Sequence, residues 1–403
     1  MPGPFTARRP TWLSRNLLVL CGVSFLQDAA SELLYPILPI FLTSVLGAPP
    51  AVVGAVEGVA EGTAAATKLV AGRIADRTAR RPLIAAGYGL AAVGKLLVAL
   101  AGIWPVVLAG RCVDRLGKGI RGAPRDALLV VGVPIEARGR AFGLHRAADT
   151  AGAVVGPLLG LAGYELLHHH IRPLLIIAVV PAVASVALVA AVREGPPPFR
   201  PKPEPDAETD PGGARAAGGL PAPYWRVVIV LTGFGLVNFP DALLLLRVRA
   251  LGFSVAALIG AYVLYNLSYA LLSYPAGALS DRWPRHRIFA AGLACFAVAY
   301  LGLGLVHTGA LVIPLLVIYG GFTAATDGVG KSWVSALLPA GRQGSGQGTY
   351  QALAGGAVLV AGIWAGLAWG GTGRLPLLLS GGVAAGIGLL LAIRSPDTPG
   401  RSV

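Results

Sequence analysis

Charged residues are concentrated in one stretch, residues 105–128, that is long enough to form a membrane-spanning helix. Seven ionisable side chains fall within it: Arg111, Asp114, Arg115, Lys118, Arg121, Arg125 and Asp126. At about 100° per residue they occupy roughly 140° of a helical wheel, so they share one face. Five basic groups facing lipid would cost on the order of 12–17 kcal/mol. The charged face must therefore meet protein partners, water or a ligand.

Two chemical roles fit this face. Its two acids leave a surplus of positive charge, which an anionic substrate could neutralise. An arginine fork holds a carboxylate or phosphate through two hydrogen bonds, and lysine supplies a mobile point charge. The residues expected to bind substrate are Arg111, Arg115, Lys118 and Arg121. The alternative is a lattice of internal ion pairs that locks one conformation, and both roles can coexist.

Four carboxylates in other apolar stretches are candidates for carrying a coupling proton. They are Asp28, Glu32, Glu57 and Glu61. The first two are four residues apart, as are the last two, so each pair shares one face of a helix. A membrane carboxylate can exchange an arginine partner for a proton as its surroundings open and close. Static neutralisation of the basic face explains any single one of them equally well.

Further polar residues in apolar stretches complete the candidate site. We expect contacts with substrate from Asp149, Asn238 and Asp241. Asp327 and Lys331 have the spacing and order of a self-neutralising pair within one helix. Five polar or aromatic residues of one apolar stretch could touch substrate, although packing or interfacial roles are commoner for such tyrosines: Tyr262, Tyr265, Asn266, Tyr269 and Tyr274. No metal site is expected, because the three cysteines lie singly in different apolar stretches.

A short motif, G-x-x-x-D-R-x-x-R, occurs twice in changed but recognisable form. The first copy contains Gly72, Asp76, Arg77, Arg80 and Arg81, and the second contains Gly277, Asp281 and Arg282. The glycine lets two helices approach closely, and the arginines avoid lipid, so the motif suits a tight cytoplasmic turn between membrane helices. Its duplication indicates two related halves.

This motif resembles the signature loop of the major facilitator superfamily, found between helices 2 and 3 and echoed between helices 8 and 9. The resemblance covers nearly the whole chain. It implies an all-α membrane fold of twelve helices in two pseudo-symmetric six-helix bundles. It also implies alternating access around a central site. We expect the two motif loops to hold the inward gate shut when the protein faces outward.

A second motif, G-x-x-x-G-P-x-x-G, resembles one that is typical of drug/proton antiporters in that superfamily. It comprises Gly152, Gly156, Pro157 and Gly160. Small residues at this spacing predict close packing against the opposite bundle, and the proline predicts a bend. The run D-R-x-G-K-G-I-R-x-x-P-R-D resembles bacterial and archaeal permeases. These resemblances favour export over uptake.

Composition places the chain in a membrane independently of any motif. Of 403 residues, 55% are hydrophobic and only 13% are charged, which exceeds what one soluble core can bury. Twelve apolar stretches approach the length of about 20 residues that spans a bilayer. They lie at 16–43, 51–72, 83–103, 105–128, 140–165, 171–192, 225–248, 255–277, 286–306, 310–332, 343–369 and 375–393. Prolines in the first predict a bend or local unwinding.

The distribution of arginine predicts the orientation. With both ends cytoplasmic, the outer side receives only Arg172, Arg247, Arg249 and Arg374. The positive-inside rule then predicts a multi-pass protein of the cytoplasmic (inner) membrane with both termini inside. This asymmetry explains most of the net charge of +14, so we expect lipid contact and no nucleic-acid partner. No cleavable signal peptide is evident.

A Pro- and Gly-rich segment divides the chain. Residues 193–224 cannot bury enough apolar surface to order themselves, so they are predicted to be a disordered cytoplasmic linker. The domains are then an N-terminal bundle, 1–192, the linker, and a C-terminal bundle, 225–403. We expect a monomer.

The leading hypothesis is a secondary transporter. The sequence has no phosphate-binding loop, nucleophile elbow, zinc-binding HExxH helix or dinucleotide fingerprint, so we expect neither an enzyme nor a cofactor. The proton gradient would supply the energy. We predict proton-coupled export of a small organic solute, anionic or amphiphilic, by antiport. The alternatives are proton-coupled uptake of an organic anion by symport and, in a different class, a non-transporting membrane receptor or assembly partner.

Overall fold

The computed structural model describes residues 12–35, 37–38, 41–48, 50–168, 170–194, 219–370, 372–394 and 396. Fourteen α-helices lie within these residues, and no strand is found there. The N-terminal half contains α1 (Arg15–Leu34), α2 (Pro50–Ala75), α3 (Arg80–Leu100), α4 (Trp104–Leu129), α5 (Arg138–Leu166), α6 (Ile171–Ile177) and α7 (Val179–Val189). The C-terminal half contains α8 (Ala222–Gly235), α9 (Asp241–Ala250), α10 (Val255–Arg282), α11 (Arg285–Leu305), α12 (Val312–Ala336), α13 (Gln343–Leu367) and α14 (Arg374–Ile393).

Most of the predicted spans coincide with one helix, and three are interrupted. The span predicted at 225–248 is two helices, because the chain leaves helical geometry before Pro240, which caps α9. The span predicted at 171–192 contains α6 and α7, which meet at Ala178. In the first span α1 ends at Leu34, and a π-helix follows at Phe41–Val45. The two prolines predicted to bend it lie outside the described residues.

Each half has its own apolar interior. One large cluster in the C-terminal half is rich in aromatic rings, which stack or meet edge to face around Phe296, Tyr300 and Phe322. The N-terminal half has several smaller clusters instead, because its charged side chains divide the interior. Most of the segment predicted as a linker, residues 195–218, lies outside the described residues.

The outer surface is suited to lipid. Within the described residues, seven helices are long and apolar enough to cross a membrane. Large apolar side chains project outward, including Leu166, Leu367 and Leu389 at 78%, 85% and 64% exposure. Burying them in hydrocarbon removes apolar surface from water. The highly charged α4 is not among the seven, because its charged residues make it less apolar than the others. Its place in the membrane therefore depends on what its charged face meets inside the protein.

The two most extensive crossings between the halves are those of α2 with α13 and of α5 with α10. At both, glycines bring the helix backbones together. A methyl group on Gly72 would lie 2.7 Å from Gly344 O and 2.9 Å from Gly348 Cα, so no larger residue fits without movement. In the second crossing Gly277 meets Gly139 and Gly143 in the same way. We call the end of the molecule where these contacts lie the motif end.

The glycines of the second motif occupy a different contact from the one predicted. Gly152, Gly156 and Gly160 pack against α1 of the same half, and not against the opposite bundle. A methyl group on Gly156 would come within 2.6 Å of Ala29 O. Pro157 is buried within α5. The prediction of an inter-bundle contact is therefore wrong, because the stripe lies on the face of α5 that turns toward α1.

Candidate substrate and coupling site

A cavity of about 500 Å³ lies between the two halves, within the size range of small-molecule sites. Ionisable residues from four helices of the N-terminal half line it: Asp28, Glu32, Glu61, Lys68, Lys118, Arg121, Arg125, Arg146 and Asp149. The opposite wall comes from α12 and α13 and includes Asp327, Lys331, Tyr350 and Gln351. We call this space the central cavity. It brings together most of the polar residues that the sequence singled out.

Two cations of α4 face the central cavity with unused bonding capacity. Among the described residues, no acid lies within ion-pair distance of Lys118 or Arg121. The guanidinium of Arg121 stacks over Tyr88, with its central carbon 4.4 Å from the ring centroid. Its buried Nη1 has no hydrogen-bond partner. Leaving a buried donor unsatisfied costs about 1–3 kcal/mol, so a hydrogen-bond acceptor that binds at this wall would remove that cost.

The other two arginines predicted to bind substrate lie elsewhere. Arg111 and Arg115 are not part of the cavity wall, and they lie 3.7 and 3.8 Å from Asp114 on the same helix. Lys95 of α3 pairs with Asp114 at 2.8 Å, and Arg115 also pairs with Glu61 at 3.0 Å. The structure places these two arginines among ion pairs and outside the cavity wall, and their contact with substrate stays a prediction. Ion pairs therefore occupy both ends of the charged face of α4, and the open cations Lys118 and Arg121 lie between them.

The four predicted proton carriers fall into different environments. Asp28 and Glu32 line the central cavity, and no described cation lies within ion-pair distance of either. Glu32 accepts a hydrogen bond of 3.2 Å from the hydroxyl of Tyr262 on the opposite half. Glu61 already has Arg115 as its partner. The side chain of Glu57 lies outside the described residues.

Two ion pairs join the halves beside the central cavity, one through an acid of α12 and one through a base of α12. Arg146 of α5 holds Asp327 of α12 through two bonds, Nε to Oδ2 at 3.0 Å and Nη2 to Oδ1 at 3.2 Å, and also binds Asp149 at 2.6 Å. Asp126 of α4 binds Lys331 of α12 at 3.0 Å. The spacing of Asp327 and Lys331 favoured a pair within one helix, but each finds its partner on the opposite half. Both links must break or rearrange when the halves separate.

An aromatic chamber of about 280 Å³ adjoins the central cavity and shares Asp327 and Tyr350 with it. The predicted residues Asn238 and Asp241 line this chamber, at the break between α8 and α9. The carboxylate of Asp241 accepts hydrogen bonds from Tyr265 at 2.8 Å and from Tyr319 at 2.6 Å. Tyr262 and Tyr269 of α10 likewise donate to Glu32 and Asp327, a role that the spacing of these tyrosines alone did not indicate.

The motif aspartates bridge the halves at the motif end. Asp76 accepts bonds of 2.7 Å from the backbone N–H groups of Gly344 and Ser345, at the start of α13. Asp281 accepts bonds of 2.7 and 3.0 Å from Gly139 and Arg140, at the start of α5. A carboxylate at a helix N-terminus also interacts favourably with the helix dipole.

The motif arginines differ in exposure. Arg77 and Arg282 are exposed, whereas Arg80 is buried. Arg81 donates a bond of 2.9 Å to the backbone oxygen of Ala190. These basic residues therefore do not act as one uniform solvated loop.

Several residues of the site escaped prediction. Arg146 was missed although it lies three residues before Asp149. The partner glycines were missed too, yet the sequence carries their signal. The run from Pro134 to Gly143 and the run from Pro339 to Gly348 both begin with proline and place G-x-x-x-G at the same offsets. They repeat at the same separation along the chain as the two copies of the aspartate motif.

Comparison with known proteins shows to which protein family the chain belongs. The family model described as Major Facilitator Superfamily matches residues 20–264 and 227–403. This chain belongs to the Major Facilitator Superfamily. An uncharacterized MFS-type transporter of Methanocaldococcus jannaschii is 30% identical over 386 residues, which are 94% of each chain. The class D tetracycline resistance protein of Salmonella ordonez is 23% identical over 293 residues, or 68% of each chain.

The solved structures show the same fold. The crystal structure of the human organic anion transporter MFSD10 aligns with a TM-score of 0.77 at 18% identity, covering 95% of this chain and 100% of the other. The predicted all-α MFS fold is thereby confirmed. The chain is a multi-pass membrane protein of a transporter family.

Proposed function

We propose that this MFS transporter exports a small organic anion across the cytoplasmic membrane in exchange for protons, with both chain ends in the cytoplasm. One observation carries the proposal. The wall of the central cavity presents Lys118 and the buried, unsatisfied Nη1 of Arg121 to the space between the halves. An anion placed there would neutralise two cations and accept the missing hydrogen bond.

The central cavity also holds the groups that a proton exchange needs. Asp28 and Glu32 share the space with Lys118 but have no cation within ion-pair distance among the described residues. A proton is then an available counter-charge for them. A bound anion would use up positive potential that favours the ionised carboxylates, so substrate binding and protonation are linked through the same charges. This linkage supports proton coupling, and the antiport direction rests on the resemblance of the second motif to drug/proton antiporters.

The closed motif end supports alternating access. If the motif end is cytoplasmic, as the arginine distribution predicts, the cavity in this structure is sealed from the cytoplasm by the crossings at Gly72 and Gly277. Opening requires the bonds of Asp76 and Asp281 to break and the pair between Arg146 and Asp327 to separate. Substrate binding would bias that equilibrium by its differential affinity for the two states.

The relatives are in keeping with this direction and charge. One is named for tetracycline resistance, and removal of a compound from the cell is one physical route to resistance. A structural neighbour is named as an organic anion transporter. Neither name assigns a substrate to this chain. The name of the organic anion transporter agrees with the open cations of the central cavity.

Flux measurements with matched probes test the proposal. Purified protein in proteoliposomes carrying an internal pH dye would be supplied with benzenesulfonate, benzenesulfonamide or benzyltrimethylammonium, which share a ring and carry fixed negative, zero and positive charge. We expect flux of benzenesulfonate with proton movement in the opposite direction. Proton movement in the same direction would indicate symport. Binding without flux would indicate a receptor, and a preference for the cation would reject the anion site.

The coupling residues are tested in the same vesicles. Asp28→Asn and Glu32→Gln should retain benzenesulfonate binding, and at least one of them should lose proton-driven flux. Glu61→Gln is the matched control, because its ion pair with Arg115 assigns it to the structural lattice. Wild-type coupling in both cavity variants would contradict the assignment.

A further inference from the structure

A second cavity, of about 450 Å³, lies at the motif end and is separate from the substrate site. Its walls include Arg80, Arg138, Arg193 and Glu194 from the N-terminal half and Gln343 from the start of α13. We call it the Arg80 pocket. It shares no wall residue with the central cavity. Nothing in the transport mechanism above uses it.

The Arg80 pocket has more positive charge than its acid can balance. Its carboxylate, Glu194, is already engaged by the backbone N–H groups of Arg80 at 2.6 Å and Arg81 at 2.9 Å. Arg138 binds the neutral backbone oxygen and hydroxyl of Ser335. Three guanidinium groups thus surround one carboxylate that caps the start of α3.

Arg80 itself is the decisive residue. Its side chain is only 8% exposed and lines the pocket. Among the described residues its guanidinium has no hydrogen-bond or ion-pair partner, and the same is true of the exposed guanidinium of Arg193. A charge buried without a counter-charge is costly. A ligand with negative charge would remove that cost.

We propose that the Arg80 pocket binds a phosphate group, held by the guanidinium groups of Arg80 and Arg193. Arginine forks match the geometry of phosphate oxygens, and the three arginines and one glutamate of the pocket leave a positive surplus that a phosphate group would reduce. Because Gln343 and Ala340 belong to the C-terminal half, the complete pocket exists only while the motif end is closed. The bound phosphate stabilises that closed state. Its source is a soluble phosphate compound or the headgroup of an anionic lipid.

Thermal unfolding of the full-length protein in detergent tests the site, with inorganic phosphate as the probe and sodium chloride at matched ionic strength as the reference. Wild-type protein should unfold at a higher temperature in phosphate. Arg80→Gln and Arg193→Gln should each raise the half-saturating phosphate concentration by about tenfold or more, since each removes a charge-assisted contact. Arg193 is exposed, so its variant folds even if Arg80→Gln does not. Arg287→Gln, an exposed arginine outside the pocket, should leave the response intact.

Two further arms separate the possible sources and sites. If vesicles of phosphatidylcholine with phosphatidylglycerol stabilise the protein and abolish the phosphate response, the headgroup occupies the pocket. If the response persists in them, the ligand is soluble. Lys118→Gln, which weakens the substrate site, should not change the response. Loss of the response in Lys118→Gln but not in the Arg80 and Arg193 variants would overturn the proposal, as would no stabilisation by either phosphate or phosphatidylglycerol.

Discussion

The two halves of the cavity differ in chemistry although they share a fold. The N-terminal wall presents nine ionisable residues from α1, α2, α4 and α5. The C-terminal wall is largely aromatic around Asp241 and contributes only Asp327 and Lys331 as charged groups to the central cavity. The ionisable residues of the central cavity therefore lie mainly in one half, and we expect charge recognition and coupling to depend on that half.

The same halves are nearly equivalent at the motif end. Asp76 and Asp281 each cap the first turn of a helix from the opposite half, and each lies beside a crossing of glycines. The repeated sequence thus lies where the halves pack on each other, whereas the two walls of the central cavity differ. Variants in both regions test this difference between the motif end and the cavity walls.

The largest effect is expected from Arg146→Ala. It would leave Asp149 and Asp327 without their shared cation. Breaking a fully buried pair costs about 3–5 kcal/mol of unfolding free energy, and the 36% exposure of the Asp327 side chain places this loss at the lower end. Lys331→Ala should cost less, because Asp126 keeps Arg125 at 3.1 Å and Gln351 at 3.0 Å. Reversible unfolding in mixed micelles measures both. Equal losses would contradict the unequal roles of the two pairs.

Substitution of the crossing glycines should have a smaller effect on closure. Gly72→Ala and Gly277→Ala place a methyl group against backbone of the other half, and overpacking costs about 1–3 kcal/mol. The assay uses a Gly355→Cys reporter in the central cavity, in a protein without the native cysteines. Both glycine variants should increase its labelling by a thiol reagent added on the side of the motif end. Gly356→Ala, which meets open space, is the control. A response from only one crossing would break the equivalence of the halves.

The motif aspartates should give the smallest shifts. Asp76→Asn loses a charged acceptor but keeps an amide oxygen, so we expect closure to weaken by about 1 kcal/mol. Asp281→Asn should weaken it more, because Asp281 also pairs with Arg140 Nε at 2.9 Å. The same labelling assay ranks the two variants. The reverse ranking would show that the Arg140 contact contributes little.

Much of the fold was available from the sequence, because apolar length and arginine distribution act locally. The break before α9 was harder to place, since Pro240 and its polar neighbours fit either a bend or an interruption. The sequence indicated which types of residue lie in the site. It did not indicate which of those residues form ion pairs with one another. Spacing favoured Asp327 with Lys331, but the structure pairs each across the cavity, and such contacts depend on how the halves meet.

The division of α4 shows the same limit. The helical wheel placed Arg115 and Lys118 on one charged face, and both do point inward. Only the packing of α2 and α3 against α4 determines that Arg115 meets Glu61 while Lys118 meets the cavity. Close contact at Gly94 and Gly110 brings Lys95 to Asp114, a partner that the wheel of a single helix does not contain.

The most direct test compares Lys118→Gln with Arg115→Gln, measuring benzenesulfonate affinity and unfolding free energy on the same preparations. Lys118→Gln should bind about tenfold more weakly or worse at near wild-type stability, because it removes a cavity cation that has no ion-pair partner among the described residues. Arg115→Gln should lose stability through Glu61 and Asp114. Normal affinity in Lys118→Gln, or lost affinity at normal stability in Arg115→Gln, would contradict the assignment of recognition to the open cations of α4.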